Sequence, residues 1–293
     1  MTSTATPVVP GAALKKRAPW VKRSLMPGFR PALGFTVFYL CLVVLIPLSA
    51  LLLKSLGFGP AQWWNLLTGP RVLASFKVSL MTSFLAASIN VVLGLLIAWV
   101  LVRYPLPGKK VFDALVDLPF ALPTAVAGIV LTALYAKNGW IGQLLEPLGF
   151  HIAFTPSGIT VALIFIGLPF VVRTVQPVLQ DLDPSEEEAA SSLGASRWQV
   201  FTKVIFPNIL PALLTGFALA FARGLGEYGS VIFIAGNRPL VSEVVPLLIM
   251  TKLEQFDYVG ATVIGMAMLI ISFVLLLVIN ALQAWTRRRA GAL

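Results

Sequence analysis

The sequence predicts an all-α integral membrane protein that crosses the bilayer six times. Hydrophobic residues make up 58% of its 293 residues and charged residues only 12%, whereas soluble domains contain about 25% charged residues. A helical span needs about 20 apolar residues, and six stretches of the chain are long enough. They cover roughly residues 33–53, 74–102, 114–136, 158–180, 209–236 and 259–285.

The distribution of basic residues predicts that both ends of the chain lie in the cytoplasm. Of the 22 Lys and Arg residues, 15 fall in the two tails and the loops on their side, six fall on the opposite side, and Arg223 lies within a span. Cytoplasmic loops contain the excess of positive charge, and an even number of spans agrees with an N-in, C-in orientation. We therefore expect a basic tail at residues 1–32, a membrane domain at 33–286 and a short basic tail at 287–293. The first tail has no apolar core of signal-peptide length, so we interpret the first span as an uncleaved anchor.

The composition argues against several other classes of protein. The net charge of +10 does not indicate a nucleic-acid partner, because the basic residues form small clusters between apolar runs rather than one patch. The expected surroundings of the predicted spans are membrane lipids. Cys41 is the single cysteine and His151 the single histidine of the chain, so a disulfide framework or a metal site rich in these residues is not expected.

Two predicted spans contain residues that interrupt or anchor a membrane helix. In the third span, Pro119 and Pro123 are four residues apart, which predicts a kink or a break; a transport pathway and a simple packing kink both remain open. Asp117 is expected to cap or pair at the inner start of this span. Arg173, near the inner end of the fourth span, is expected to extend to the cytoplasmic interface.

The longest polar insertion, residues 181–208, is predicted to begin with a helix on the cytoplasmic side. Asp183 is followed by Pro184, which suits the first position of a helix, and by Glu186 three residues later. This spacing is that of a capping box with Asp as the capping residue. A helix is therefore expected to start at Pro184.

The second half of this insertion predicts a turn and another short helix. Gly194 stands at a natural C-terminal cap, and Ser196 with Gln199 repeats the capping pattern. Pro207 is expected to stop the second helix. A helix–turn–helix element at the cytoplasmic face suits insertion into a groove on a partner protein, although a plain surface hairpin would show the same signals.

The residues of this insertion resemble the EAA loop of ATP-binding-cassette (ABC) importer permeases. The resemblance rests on Glu188-Ala189-Ala190, on Gly194 after three further residues, and on the sequence VIFP at 204–207. In that family the loop is a coupling helix that docks into an ATPase subunit. The resemblance therefore implies an ATPase interface formed by Glu187, Glu188, Ala189, Ala190, Gly194, Ala195, Arg197 and Trp198.

A second resemblance narrows the family. The stretch from Gly216 to Asn237 is similar to sulfate/thiosulfate importer permeases of the CysT type, and the stretch from Ser242 to Ala261 looks more like that type than like W-type or molybdate permeases. The resemblance implies the ABC type I importer permease fold in a bacterial inner membrane. It also implies four partners: a second, CysW-like permease, a CysA-like ATPase dimer, an extracytoplasmic sulfate/thiosulfate-binding protein, and sulfate or thiosulfate as cargo.

The chain has no phosphate-binding loop of its own. The one Gly-Lys pair, Gly108-Lys109, lacks both the upstream glycine and the following hydroxyl residue of the motif. We therefore expect no cofactor and no catalytic residues here, with ATP bound by a partner subunit. The alternatives are a molybdate or tungstate permease subunit and, more distantly, an ion-coupled secondary anion transporter, which should show inverted halves and midplane carboxylates. A membrane enzyme is disfavoured because its motifs are missing.

Arg223 and Glu227 are the charged residues predicted to lie within the fifth span. They are four residues apart, so they can pair on one helix face. One interpretation is a structural pair that holds the span to its neighbours. The other is a candidate anion pathway, in which Arg223 attracts the anion and Glu227 limits how tightly it binds. Gly224 and Gly226 belong to this candidate site, since glycine allows close helix approach or exposed backbone N–H groups.

Overall fold

A computed structural model of the protein describes residues 29–290, and it describes the surroundings of side chains from residue 31 to residue 284. All regular secondary structure in this range is helical. The chain divides at Ala50 and Leu51 into two units. Residues 1–28 of the predicted N-terminal tail and residues 291–293 of the predicted C-terminal tail lie outside the described residues. The α-helices are α1 (Phe29–Leu40), α2 (Ile46–Leu56), α3 (Pro60–Leu67), α4 (Pro70–Arg103), α5 (Lys109–Ala121), α6 (Thr124–Tyr135), α7 (Trp140–Leu145), α8 (Pro156–Asp181), α9 (Pro184–Ser192), α10 (Arg197–Val200), α11 (Phe206–Leu225), α12 (Val231–Ile234), α13 (Val245–Glu254) and α14 (Tyr258–Ala290).

Five of the predicted spans are unbroken helices of sufficient length and apolarity to cross a membrane. They are Pro31–Leu56, Pro70–Arg103, Pro156–Asp181, Arg197–Leu225 and Tyr258–Ala284. The first of these includes a π turn at Cys41–Leu45 between α1 and α2. The count reaches six when α5 and the segment from α6 onward are taken as one bent span.

The predicted third span is broken rather than straight. Helix α5 ends at Ala121, α6 begins at Thr124, and the segment Thr124–Leu148 is bent by 108° from α5. Pro123 lies directly before α6, where its fixed φ angle and the restriction it places on Leu122 favour an extended connection. Pro119 remains inside α5. Of the two outcomes expected from the prolines, the break is the one that forms.

Helices α4, α8 and α11 form the centre of the second unit, and small residues let them approach closely. A Cβ atom added to Gly94 of α4 would lie 2.7 Å from the Val171 side chain of α8, and one added to Gly216 of α11 would lie 2.9 Å from the Cα of Val171. Both distances are too short for a real side chain. Small residues at helix crossings are typical of membrane bundles, and here they let both α4 and α11 pack closely against Val171 of α8.

A buried ion pair joins the start of α4 to the segment before α13. The guanidinium of Arg71 donates two hydrogen bonds to Glu243, at 2.8 and 2.6 Å, and the Glu243 side chain is only 1% exposed. Next to it, the backbone N–H of Val245 donates to the hydroxyl of Ser79 at 2.8 Å. The sequence indicated Arg223 and Glu227 as a possible charged pair but did not indicate this one. The local sequence around Glu243 does not indicate that it forms an ion pair, because its partner Arg71 lies 172 residues away in the chain.

Arg71→Ala should destabilise the protein, because it leaves the Glu243 carboxylate buried without its partner. Breaking a buried pair costs about 3–5 kcal/mol, and we expect the lower end here since the Arg71 side chain is 36% exposed. The midpoint of thermal unfolding of the purified protein in detergent measures this change. Arg238→Ala removes an exposed arginine and serves as the matched control. Equal midpoints for the two variants would contradict the prediction.

Candidate functional site

The polar insertion at residues 181–208 begins with the predicted helix. The Asp183 carboxylate accepts a hydrogen bond from the backbone N–H of Ser185 at 2.9 Å, and α9 starts at Pro184. This backbone N–H, followed by the Ser185 hydroxyl, lowers the pKa of Asp183. Glu186 does not complete the expected capping box; its carboxylate accepts from the side-chain amide of Asn208 at 3.4 Å instead. The cap at Asp183 is therefore confirmed, but its carboxylate accepts from Ser185 and not from Glu186, the residue that the spacing suggested.

The turn after α9 is a complete Schellman motif centred on Gly194. The N–H of Ala195 donates to the carbonyl of Ala190 at 3.1 Å, and the N–H of Gly194 donates to that of Ser191 at 3.0 Å. Gly194 has a φ angle of +84°, which residues with a Cβ adopt only at a cost in free energy. The predicted glycine turn is thus confirmed, and its geometry requires the glycine.

The second helix of the insertion does not stop at Pro207, contrary to our expectation. Helix α10 begins with the predicted Ser196 and Gln199 capping box, then passes through a π turn at Phe201–Ile205 directly into α11. In this wider turn the N–H of Phe206 bonds to the carbonyl of Phe201, five residues back. The extra width gives the Pro207 ring room that an α-helical turn would deny it. The loop and the fifth span therefore share one helical segment, Arg197–Leu225.

The predicted ATPase-contacting residues fall on two sides of this element. Two large apolar side chains flank the Gly194 turn and point outward: Leu193 is 89% exposed and Trp198 is 71% exposed. Ala190 and Ala195 face inward and pack against the main hydrophobic core, and half-buried Glu187 accepts a hydrogen bond from Arg103. Of the eight predicted residues, the exposed ones are Glu188, Ala189, Gly194, Arg197 and Trp198.

The Arg223–Glu227 pair forms, but not on one helix face in the middle of a span. Arg223 lies in the last turn of α11, and Glu227 follows the end of the helix at Gly226. Their side chains are 3.0 Å apart, and Glu227 is 2% exposed whereas Arg223 is 40% exposed. The other Glu227 oxygen accepts from the N–H and the hydroxyl of Ser230, at 3.0 and 3.2 Å. The carboxylate is therefore immobilised, while the guanidinium presents a free surface.

The glycines around this pair have different surroundings. Gly224 packs against Ser83 of α4, whose hydroxyl would lie 3.3 Å from an added Cβ, whereas Gly226 faces open space. Ser83 is 13 residues after Pro70, which is about 20 Å along α4 at 1.5 Å per residue. The pair therefore lies well inside the membrane-spanning part of the bundle.

Arg173, which we expected to extend to the cytoplasmic interface, is paired with two carboxylates of α5. It donates to Asp117 at 2.8 and 2.6 Å, and to Asp113 and Gln176 at 2.8 and 2.7 Å. The expected pairing of Asp117 is confirmed. Asp113 and Asp117 are four residues apart on one face of α5, a spacing that could have indicated a shared cation. This cluster holds the inner part of α8 to α5.

These sites are suited to holding helices and contacting partners rather than to bond chemistry. Among residues 29–290, no three His, Cys, Asp or Glu side chains converge as metal ligands. Arg71, Arg173 and Arg223 each pair with a carboxylate, and two exposed apolar side chains, Leu193 and Trp198, flank the Gly194 turn. The Arg223 side chain is charged, lies within the membrane-spanning bundle and is 40% exposed. It is therefore the position where an anion could be contacted.

Comparison with known proteins places these features in a family. Residues 90–291 match the family described as binding-protein-dependent transport system inner membrane component. The chain is 51% identical over 256 residues to "Sulfate transport system permease protein CysT" of Synechocystis sp., covering 87% of this chain and 90% of that one. It is 49% identical over 267 residues to the protein of the same name from Escherichia coli, covering 91% and 96%.

Solved structures support the fold alone, because their sequences are distant. A bacterial ABC transporter involved in the import of the acidic polysaccharide alginate superimposes with a TM-score of 0.72 at 16% identity, covering 87% of this chain and 94% of that one. A bacterial alginate ABC transporter in complex with an alginate pentasaccharide-bound periplasmic protein gives 0.66 at 20% identity, covering 86% and 92%.

Gly194→Val should loosen the turn between α9 and α10, whereas Gly194→Asn should preserve it. A left-handed conformation costs an ordinary residue roughly 1–2 kcal/mol, and asparagine tolerates it better. We expect trypsin cleavage after Arg197, followed by mass spectrometry on the purified protein, to be about tenfold faster in Gly194→Val. Equal cleavage rates in the two variants would show that the turn does not depend on the glycine geometry.

Proposed function

Because the chain belongs to the binding-protein-dependent transport system inner membrane components, and within them to the sulfate transport permeases of the CysT type, we propose that it is the membrane-spanning permease subunit of an ATP-driven sulfate/thiosulfate importer. The observation that carries this proposal is the identity of about half of all aligned residues to sulfate permeases over nearly the whole chain. The chain is a multi-pass membrane protein and a transport component rather than an enzyme. Its proposed location is the bacterial inner membrane.

Coupling to ATP hydrolysis is proposed to occur through residues 181–208. The chain would bind no ATP itself, and an ATPase subunit dimer, CysA-like, would dock on the exposed side of the loop. Leu193 and Trp198 are apolar and mostly exposed beside a rigid turn, as expected of residues that anchor an interface. Because α10 continues into α11, a movement of the docked turn would reach Arg223 without a flexible joint.

The remaining partners are proposed from the family. A second permease subunit, CysW-like, would complete the pathway, and an extracytoplasmic sulfate/thiosulfate-binding protein would deliver the anion. One feature of the described residues supports a second permease: Arg223 is 40% exposed at membrane depth. A guanidinium at that depth is unfavourable against lipid, so it should face a water-filled path or another protein.

Arg223 is proposed to provide positive potential for a divalent anion on its way through the membrane. The buried carboxylate of Glu227 neutralises part of this charge and is itself held by Ser230. Partial neutralisation matters because transport requires release as well as binding. The alternative, in which the pair only joins helices, would leave uptake independent of the arginine once the protein is assembled.

Uptake of radiolabelled sulfate tests the proposed function. A strain lacking only this gene, and having no other sulfate importer, should fail to accumulate sulfate, and a plasmid copy should restore accumulation. Thiosulfate and molybdate serve as competitors in the same assay. Undiminished sulfate uptake, together with loss of molybdate uptake, would overturn the sulfate assignment in favour of a molybdate permease.

Arg223→Ala should lower sulfate uptake about tenfold or more, since removing one ionic contact worth 1.4 kcal/mol already changes an equilibrium tenfold. Copurification of the ATPase should be unchanged, because Arg223 lies far from the loop. Arg223→Lys should retain part of the activity, and Arg238→Ala is the control for loss of an exposed arginine. Normal uptake by a normally assembled Arg223→Ala complex would reduce the pair to a structural contact.

A further inference from the structure

The inner end of α4 contacts both helices of the cytoplasmic loop. Arg103, the last residue of α4, donates from its Nη2 to the carboxylate of Glu187 on α9. The two side chains are each 24% exposed, so the ion pair is shielded from solvent more than a surface pair would be. The guanidinium also lies 5.3 Å from the ring centroid of Trp99, one turn earlier on α4, which is within the range of a cation–π contact.

The second helix is held by aromatic contacts. The Trp99 ring meets Phe201 edge to face, with centroids 5.7 Å apart, and Phe201 stacks on Trp198 at the same separation. Phe201 begins the π turn that leads into α11. Helix α4 is therefore joined to α9 by charge and to the α10–α11 segment by ring packing, so both sides of the Gly194 turn are connected to the same span.

The Arg103 contact differs from those of Arg71 and Arg173. Arg71 and Arg173 each present Nε and Nη2 together to one carboxylate, in the two-bond fork that matches carboxylate geometry. Arg103 uses Nη2 alone, and its Nε is buried without a hydrogen-bond partner. A buried donor without a partner is unfavourable. A small displacement of α9 would bring the second Glu187 oxygen to this donor and complete the fork.

We propose that Arg103 and Glu187 form a latch that transmits movement of the loop to α4, and that the latch changes from one hydrogen bond to a two-bond fork in another state of the transport cycle. This inference rests on the proposed function, since it presupposes that an ATPase moves the loop. It makes Glu187 a positioning residue within the chain rather than an ATPase contact. Glu188, which is exposed, remains available to the partner.

The latch gives loop movement a second route into the bundle. The first route is covalent, from α10 through the π turn to α11. In α9, Glu186 is hydrogen-bonded to Asn208 of α11 and Ala190 packs against the core, whereas Glu187 provides the ion pair to α4. With Arg103 engaged, α9 displaces α4, which packs along α8 and α11. The three central helices then respond together to one movement of the loop.

The experiment measures sulfate transported per ATP hydrolysed by the complete complex, with its ATPase and binding protein, in proteoliposomes. The variants are Arg103→Glu, Glu187→Arg, the double exchange and Arg103→Lys. Glu187→Gln keeps the side-chain volume and covers the case in which a charge reversal prevents assembly. Lys110→Glu reverses an exposed charge on α5 and is the matched control.

Each single reversal, and Glu187→Gln, should lower the sulfate-to-ATP ratio about tenfold, a loss of roughly 1.4 kcal/mol of coupling. The double exchange should recover most of it, and Lys110→Glu should match the wild type. Arg103→Lys can reproduce the single hydrogen bond but not the fork, so its ratio should stay at least about threefold low. A wild-type ratio in the single variants would overturn the latch, and a wild-type ratio in Arg103→Lys alone would overturn the change to a fork.

The same assay separates this inference from the proposed function. A wild-type complex that hydrolyses ATP but moves no sulfate would contradict the proposed cargo. In that case the latch is still tested by stimulation of ATP hydrolysis by the binding protein, which should be lost in Arg103→Glu and regained in the double exchange. Unchanged stimulation in Arg103→Glu would overturn the latch whatever anion is carried.

Discussion

An arginine inside a membrane bundle requires a carboxylate close to it, and the helices of this protein are positioned by meeting that requirement at several depths. Arg71 and Glu243 join the start of α4 to the segment before α13, and Arg223 pairs with Glu227 within the bundle. Toward the other end of the spans, Arg173 holds α5 through two aspartates. The desolvation cost makes an unpaired partner strongly unfavourable, so the pairs of Arg71 and Arg173 specify which elements lie together as well as stabilising them.

Close helix packing and broken helices complement these pairs. Gly94, Gly167 and Gly216 remove side chains where α4, α8 and α11 cross, which leaves little space for the helices to rearrange independently. The break between α5 and α6 has the opposite effect, since it ends one helix within the apolar region and starts a segment, Thr124–Leu148, that is bent by 108° from it. The Arg173 cluster holds α5 beside α8 despite this break. The bundle thus combines a rigid centre with one irregular span.

Transmission of force follows from the continuity of helical structure. A loop that ended in water at Pro207 would be separated from the fifth span by a flexible joint. The π turn at Phe201–Ile205 removes this joint, and the Schellman turn at Gly194 fixes the angle at which α9 returns. The exposed apolar tip at Leu193 and Trp198 is consequently the end of a stiff arm, and a partner that moves this tip moves the core. The family relationship and the local geometry lead to the same functional conclusion.

The sequence alone was sufficient for properties that depend on local composition and spacing. Apolar run lengths predicted the all-helical spans, the caps at Asp183 and Ser196 predicted the starts of α9 and α10, and Gly194 predicted the turn, because each depends on neighbours within a few residues. The motif at Glu188 and the stretch from Gly216 predicted the family. In contrast, the pairing of Glu243 with Arg71 and of Arg173 with Asp113 depends on residues 172 and 60 positions apart.

Only the tertiary structure decided how the functional residues are used. The sequence predicted that Arg223 and Glu227 both lie in the middle of a helix, but in the folded chain α11 ends at Leu225, between the two residues. The sequence also predicted that the helix would end at Pro207, although a π turn accommodates the proline ring and the helix continues. It also assigned Glu187 to the same surface as Glu188, although Arg103 of a distant helix draws Glu187 inward. The physical reason is common to these cases: a charge or a strained backbone position finds its lowest free energy with whichever partner folding brings near, and the local sequence does not specify that partner.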